Sequence, residues 1–320
     1  MTRRWSAYAL RCAVAGGAVW LALLAAWPPS PSSADWVVSL LLLAPLALVP
    51  LGLRLVEPED PESIAGRCWR TVVALQLPTA LALATAFSLP KSAAAAGLAL
   101  PWLATTGGMA LLALLRVLRR GLSPLPELAI DASLAFPLVG AGWAFLDRAE
   151  IHPLRFATIV VLLTAIHFHY AGFALPLLTG LAGRARPGAL ASLAALGVIA
   201  GVPLVAAGIT ASQLGASSWL ETVAAAITAL AGLLAAWLHL RLALGSSWPT
   251  GARLLWAIAG LTLAAGMILA GLYGARVWFP VSWLDYPRMW AFHGTANALG
   301  FALCGLVAQG FVRSTMTAVP

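Results

Sequence analysis

The sequence predicts an all-α, polytopic integral membrane protein: a helix bundle of about ten transmembrane helices with both termini cytoplasmic. Three observations carry that prediction. Hydrophobic residues make up 61% of the 320-residue chain and charged residues only 9%, against roughly 45–50% and about 25% in soluble domains. Apolar segments of about 20 residues, long enough to cross a hydrocarbon core, recur along the whole chain with short polar connections between them. Positive charge then falls unevenly on alternate connections.

The ten segments are residues 7–27, 36–56, 69–89, 94–115, 127–146, 154–181, 189–210, 220–242, 252–274 and 289–312. They make residues 1–320 a single transmembrane domain with no room for a soluble one. Each is expected to be helical, because backbone amides in lipid must find partners within their own segment, and all are too long and too uniformly apolar for barrel strands. The first segment follows Thr2-Arg3-Arg4 and precedes Ser32-Ser33-Ala34, the outline of a cleaved signal peptide. Its span of about 21 residues favours a retained helix. The second carries Pro45 and Pro50, loosely matched by Pro203 in the seventh, whereas Pro78 in the third has no counterpart in the eighth. The two halves therefore show no inverted repeat of the kind found in many transporters.

Of the 19 Lys and Arg residues, only Lys91, Arg148, Arg155, Arg276 and Arg288 fall on one side of this ten-helix topology. The rest, among them Arg3, Arg4, Arg11, Arg67, Arg70, Arg116, Arg119, Arg120, Arg184, Arg186 and Arg313, fall on the side of both termini. By the positive-inside rule that side is the cytoplasm, and the location expected is the bacterial cytoplasmic (inner) membrane. The net charge of +8 follows from this topology and implies no nucleic-acid partner; the partner is the lipid bilayer. Trp27, Trp36, Trp69, Trp219, Trp278 and Trp283 sit at predicted helix ends, as an aromatic belt requires. The run Glu57-Pro58-Glu59-Asp60-Pro61-Glu62 reads as a solvated cytoplasmic loop. Cys12, Cys68 and Cys304 have no C-x-x-C spacing, and no disulfide is expected.

Polar groups at depth are costly and mark packing or functional sites. The stretch L-T-A-I-H-F-H-Y-A-G-F from Leu163 puts His167 about thirteen residues into the sixth segment, roughly 20 Å from its start. His167 and His169 point roughly 200° apart on a regular helix, so they face different neighbours. Thr164 and Tyr170 flank His167, whereas His169 shares its side with Phe173 and Pro176. A chelating pair would require a local break, and Pro176 comes one turn too late to supply it.

In the tenth segment, regular-helix spacing brings His293, Asn297, Gly300 and Cys304 onto one narrow polar and small face, fit for close packing and hydrogen bonding to another helix. Glu127 begins the fifth segment, where a carboxylate caps the helix dipole. Asp131 lies one turn deeper with no basic residue in the core of another helix to pair with. It is expected to be protonated, to meet a histidine, or to line a wet cavity, and Asp131→Asn, near isosteric with a protonated acid, to leave folding largely intact while damaging activity. With Glu221 and His293 in the outer third, His167, His169 and Asn297 near the middle, and Asp131 and His239 toward the cytoplasm, the titratable groups form a coarse ladder suited to relaying protons. The outer loop with Trp278, Pro280, Trp283 and Tyr286 would cover the region near His293.

Thr164, His167, His169, Tyr170, Ala171, Gly172 and Phe173, with His293, Gly294, Asn297, Ala298, Gly300 and Phe301, resemble the YndJ-like family of bacterial multi-pass membrane proteins. The resemblance covers two short blocks in the second half of the chain. It implies an uncharacterised family, sometimes labelled as transporters without a defined substrate.

Two functions from different classes stay open. The first is a small-solute transporter, in its proton-coupled form using His167, His169, Tyr170, His293, Asn297, Asp131 and Glu221, with no cofactor. The second is a membrane-embedded redox or metal-dependent enzyme in which His167 or His169 pairs with His293 across a haem or a transition metal. The absence of H-E-x-x-H, C-x-x-C-H and a phosphate-binding glycine loop weighs against the enzyme. If His167 and His293 act as one unit, their alanine substitutions should be non-additive.

Overall fold

The computed structural model describes residues 2–316, and among them it forms helices and no strand. Ten helices are long and apolar enough to cross a membrane: α1 (Arg4–Ala26), α2 (Ala34–Leu55), α3 (Ile64–Ser88), α4 (Ala93–Arg120), α5 (Leu125–Arg148), α6 (Thr158–Ala185), α7 (Ala189–Gln213), α8 (Trp219–Ala243), α9 (Thr250–Gly274) and α10 (Tyr286–Arg313). Most ends lie close to those expected from hydropathy. The two largest differences are at α3, which starts more than a turn early, where Ser63 accepts from Gly66 N at 3.0 Å, and at α4, which runs on to Arg120 before Gly121 stops it at φ +83°. Hydropathy ends a helix where polar residues begin, but a serine cap or a glycine in the left-handed region ends it where the backbone is satisfied. Exposed leucines at positions 111, 114 and 118 repeat along one face of α4, at the spacing of a helical stripe turned to lipid.

The chain forms two compact units. The first takes the residues up to Gly121 and Asp131–Ala174. Its centre is α2, buried at every residue from Leu40 to Pro50 and packed by α1, α3 and the first half of α6; α3, α4, α5 and α6 then pack in succession. The second unit takes Leu122–Ile130 and the residues from Leu175 onward. There α7, α8, α9 and α10 pack in succession, and the second half of α6 lies against α7 and α8. A Cβ at Gly180 would stand 2.4 Å from the Pro126 carbonyl oxygen, so α6 meets the start of α5 backbone to backbone.

Three helices are interrupted by π-helical turns: α2 at Ala44–Leu48, α6 at Tyr170–Ala174, and α10 at Met289–Gly294 and Ala296–Leu303. In α2 the prolines explain the consequence. Ala44 N–H bonds Leu41 O and Val49 N–H bonds Ala44 O. The next donors in line for Leu40 O and Pro45 O would be residues 45 and 50, both prolines without an N–H. Two carbonyls are thereby left without a helical donor. Tyr170 Oη donates to Leu40 O at 2.7 Å, and Gln76 Nε2 donates to Pro45 O at 2.5 Å.

The tryptophans divide. Trp27, Trp219, Trp278 and Trp283 are exposed, as belt residues should be. Trp69 is not one of them: it is buried, and its Nε1 donates to Leu53 O at 2.9 Å. Because α3 begins at Ile64 rather than Trp69, the indole lies a turn inside the helix and faces the end of α2. The three cysteines are unpaired.

Candidate functional site

The α-helical register of α6 holds through His169 before the π turn begins at Tyr170, so the two histidines do point to different neighbours. His169 is fully buried. Its Nδ1–H donates to Ala165 O at 2.8 Å, which fixes the tautomer, and its Nε2 accepts from Trp102 Nε1–H at 3.0 Å. The expected company of Phe173 and Pro176 is thus incomplete, because α4 brings an indole that hydropathy alone could not locate. Gly140 makes the close fit possible, since a Cβ there would lie 2.6 Å from His169 Nδ1. His167 is half-buried, its ring edge-on to Phe168 with centroids 5.4 Å apart. Tyr170, adjacent in sequence, is committed to α2 through Leu40 O, and Thr164 bonds back to Val160 O at 2.7 Å.

Asp131 overturns its expectation. Its carboxylate takes Arg116 Nε at 2.5 Å and is paired with the guanidinium of Arg120 as well. Hydropathy alone ends α4 at Leu115 and places these arginines in a loop. With α4 running to Arg120, residues 116 and 120 share one helix face and converge on the facing carboxylate. Asp131 is therefore a charged anchor between α4 and α5 and not a protonated acid. Glu127 also does more than cap: Arg184 grips it from α6, Nε to Oε1 at 2.6 Å and Nη2 to Oε2 at 2.8 Å, the bidentate fork that a guanidinium favours.

In the second unit, regular-helix arithmetic fails for α10, because π turns run through His293, Asn297 and Gly300. Their i→i+5 bonds widen the helix, yet these three residues still face one neighbour, α9, whereas Cys304 lies beyond the π turns and bonds back to Leu299 O. His293 Nδ1–H donates to Gly266 O at 2.8 Å, and Asn297 Nδ2 lies across the same ring, 3.1 Å from Nε2 and 3.3 Å from Nδ1. A Cβ at Gly266 would stand 2.7 Å from Asn297 Oδ1, and one at Gly300 would meet the Thr262 side chain at 2.5 Å. Asn297 Oδ1 is buried and accepts no hydrogen bond.

Glu221 does not join this cluster. Arg276 holds it with Nη1 to Oε1 at 2.7 Å, at the outer ends of α8 and α9. Burial is the largest single influence and disfavours the Arg276 charge, but the hydrogen bond to Glu221 together with the charge interactions of Tyr273, Glu221 and Tyr286 outweighs it and raises the guanidinium pKa. His239 is fully buried; its Nδ1–H donates to Ala235 O at 2.8 Å, its Nε2 accepts nothing, and its ring meets Phe301 edge-on. The ladder of titratable groups is thereby reduced: its two acids are ion-paired, and its histidines are divided between the units.

Among the described residues, no three His, Cys, Asp or Glu side chains come together as metal ligands. Both ring nitrogens of His169 are engaged in hydrogen bonds, so ligation of iron or another metal by it would require one of these bonds to be given up; Nδ1 of His293 is likewise held by Gly266 O.

Several contributors were missed in the sequence. Gln76 was visible only as an amide in the middle of an apolar span, and Trp102 as one tryptophan placed away from a helix end. Asp147 is buried at the outer end of α5, where Lys91 Nζ at 2.7 Å and Arg148 Nη2 at 2.5 Å both reach it. Arg148 also lies over the Phe87 ring, 4.2 Å from its centroid. The adjacent Asp-Arg pair was the available signal.

Residues 39–301 match the model of a family described as YndJ-like protein, a range that contains both blocks of the resemblance. The chain is also similar to a protein of Bacillus subtilis (strain 168) described as an uncharacterized membrane protein YndJ, at 29% identity over 215 residues. That match takes in 66% of this chain and 38% of the Bacillus protein, so the chain spans well under half the length of the relative. No solved structure matches.

Proposed function

The chain belongs to the YndJ-like family, and from that premise we propose that it is a small-solute transporter of the bacterial cytoplasmic membrane, driven by protons. The observation that carries the reading is the coincidence of π-helical interruptions with polar side chains. Tyr170 opens the π turn of α6, and His293 and Asn297 lie within those of α10. Interrupted spanning helices are where transporters place solute and coupling-ion sites, since irregular backbone at membrane depth is tolerated where it lines a cavity or is buried in protein. π turns are likewise concentrated at functional sites. His167 and Tyr170 are the polar groups near the interruption in the first unit and the His293–Asn297 pair those in the second, while Asp131, Glu127 and Glu221 hold helices together as ion-paired anchors.

Proteoliposomes loaded with a fluorescent pH indicator test this reading. Amino acids, sugars and small organic acids are added outside in turn; one class should drive proton entry that His293→Ala abolishes. A haem absorption band or one equivalent of a transition metal in the detergent-purified protein would instead favour the redox alternative.

A further inference from the structure

We propose that Arg186 and Trp248 form a phosphate-binding site at the cytoplasmic end of the second unit, taking the phosphate of a lipid headgroup or free phosphate. Such a site stands independently of the transport reading.

The acids of this unit are all taken by other arginines. They are Glu127, Glu221 and Asp285, and Arg184 holds the first, Arg276 the second and Arg288 the third. None of them pairs with Arg186. Two further arginines at the cytoplasmic end are satisfied in other ways: Arg253 Nε donates to Ala243 O at 2.9 Å, and Arg241 is exposed to its surroundings. Arg186 Nε has neither outlet. It is buried and donates to nothing, a costly state for part of a side chain that cannot give up its charge.

Gly245 locates the guanidinium. A Cβ there would lie 2.8 Å from Arg186 Nη2, 2.9 Å from Trp248 Cδ1 and 3.1 Å from Trp248 Nε1. One point that near to all three atoms sets the guanidinium beside the N–H edge of the indole. Guanidinium and indole N–H are both donors without an acceptor, so neither can satisfy the other. A phosphate offers oxygens to both at once, and a guanidinium suits it in charge and in shape. Trp248 is held in turn by Trp256, the rings edge to face with centroids 5.6 Å apart. Trp256 is buried and its own Nε1–H meets no acceptor, a second buried donor left over at the same end. The depth fits as well. Arg186 follows α6, which ends at Ala185, and Trp248 precedes α9, which begins at Thr250; both lie at the cytoplasmic boundary of the bilayer, where basic pockets between spanning helices take anionic headgroups.

Two titrations of the full, detergent-purified chain in phosphate-free buffer read the site: phosphatidylglycerol followed by native mass spectrometry of the first lipid retained, and inorganic phosphate followed by calorimetry. Wild type should bind at least one of the two probes. Arg186→Gln and Trp248→Phe should each weaken that binding by about ten-fold, the loss of one hydrogen bond to a charged group. Trp248→Phe keeps an aromatic ring in place, so its effect reports the N–H. Arg241→Gln, which removes an exposed arginine from the same end, should leave the affinity unchanged. Retention of lipid without heat from inorganic phosphate makes the headgroup the source, the reverse makes it free phosphate, and a response to both supports a site for phosphate from either. Binding of neither probe, wild-type affinity in Arg186→Gln or Trp248→Phe, or a comparable loss in Arg241→Gln overturns the proposal. If one of the two site variants does not fold, Gly245→Ala decides in its place: the added methyl displaces the tip of a flexible arginine and should weaken the same binding, and an unchanged affinity sinks the site.

Discussion

Asp131 and His169 show how far a residue's meaning depends on its partners. A buried carboxylate gripped by Arg116 and Arg120 gives up its ion pairs with both guanidinium groups when it is neutralised, and breaking a buried pair costs about 3–5 kcal/mol. Both arginines retain some exposure, so the lower end applies. Asp131→Asn should therefore destabilise the protein by about 3 kcal/mol, seen as an earlier midpoint in chemical unfolding; an unchanged midpoint would restore the protonated acid. For His169 the expected cost lies in its indole partner. Truncation to alanine should destabilise by about 2–4 kcal/mol, from the cavity and from the stranded Trp102 N–H. Trp102→Phe removes the same bond, so a double-mutant cycle on stability should show coupling of about 1 kcal/mol. Additivity would mean that the hydrogen bond contributes nothing.

At the scale of elements, α2 shows a helix that its neighbours complete. Its two prolines leave Leu40 O and Pro45 O without helical donors, and Tyr170 and Gln76 replace them. Tyr170→Phe should destabilise by about 1–2 kcal/mol, the cost of a buried carbonyl left unsatisfied. In a Pro45→Ala background the new N–H supplies Leu40 O from within the helix, and the same change should cost less than half as much. Equal costs in the two backgrounds would show that Tyr170 is not replacing the missing donor. Gly16 and Gly17 give a matched pair in the neighbouring helix. A Cβ at Gly16 would lie 1.9 Å from Leu46 O, and one at Gly17 would meet nothing. Gly16→Ala should lower the thermal midpoint well below wild type, as overpacking by about 1–3 kcal/mol does, while Gly17→Ala should leave it within error.

At the scale of the whole molecule, the ten spans and the charge distribution define a topology that labelling can test. With the three native cysteines replaced, Asp35→Cys should react with an impermeant maleimide in intact cells, and Arg119→Cys only after permeabilisation. Reaction of Arg119→Cys from outside would invert the arrangement. The ion pairs fit this topology. Arg116, Arg120 and Arg184 anchor carboxylates on the positively charged side, and Lys91, Arg148 and Arg276 do so on the other.

Helix number and approximate spans were legible in the amino-acid order, because hydrophobic length along one chain is a local property that lipid reads directly. So was the divergence of His167 and His169, which depends only on the register of an unbroken helix. The partners were not legible. Whether α4 ends at Leu115 or continues to Arg120 decides if Asp131 is paired, and that turns on a glycine at φ +83°. Gln76 reaching Pro45 O, Trp102 reaching His169, and the Asn297 amide between His293 and Gly266 are contacts between segments far apart in sequence. A buried polar atom must find a partner wherever packing brings one, and only the tertiary structure selects which helix supplies it.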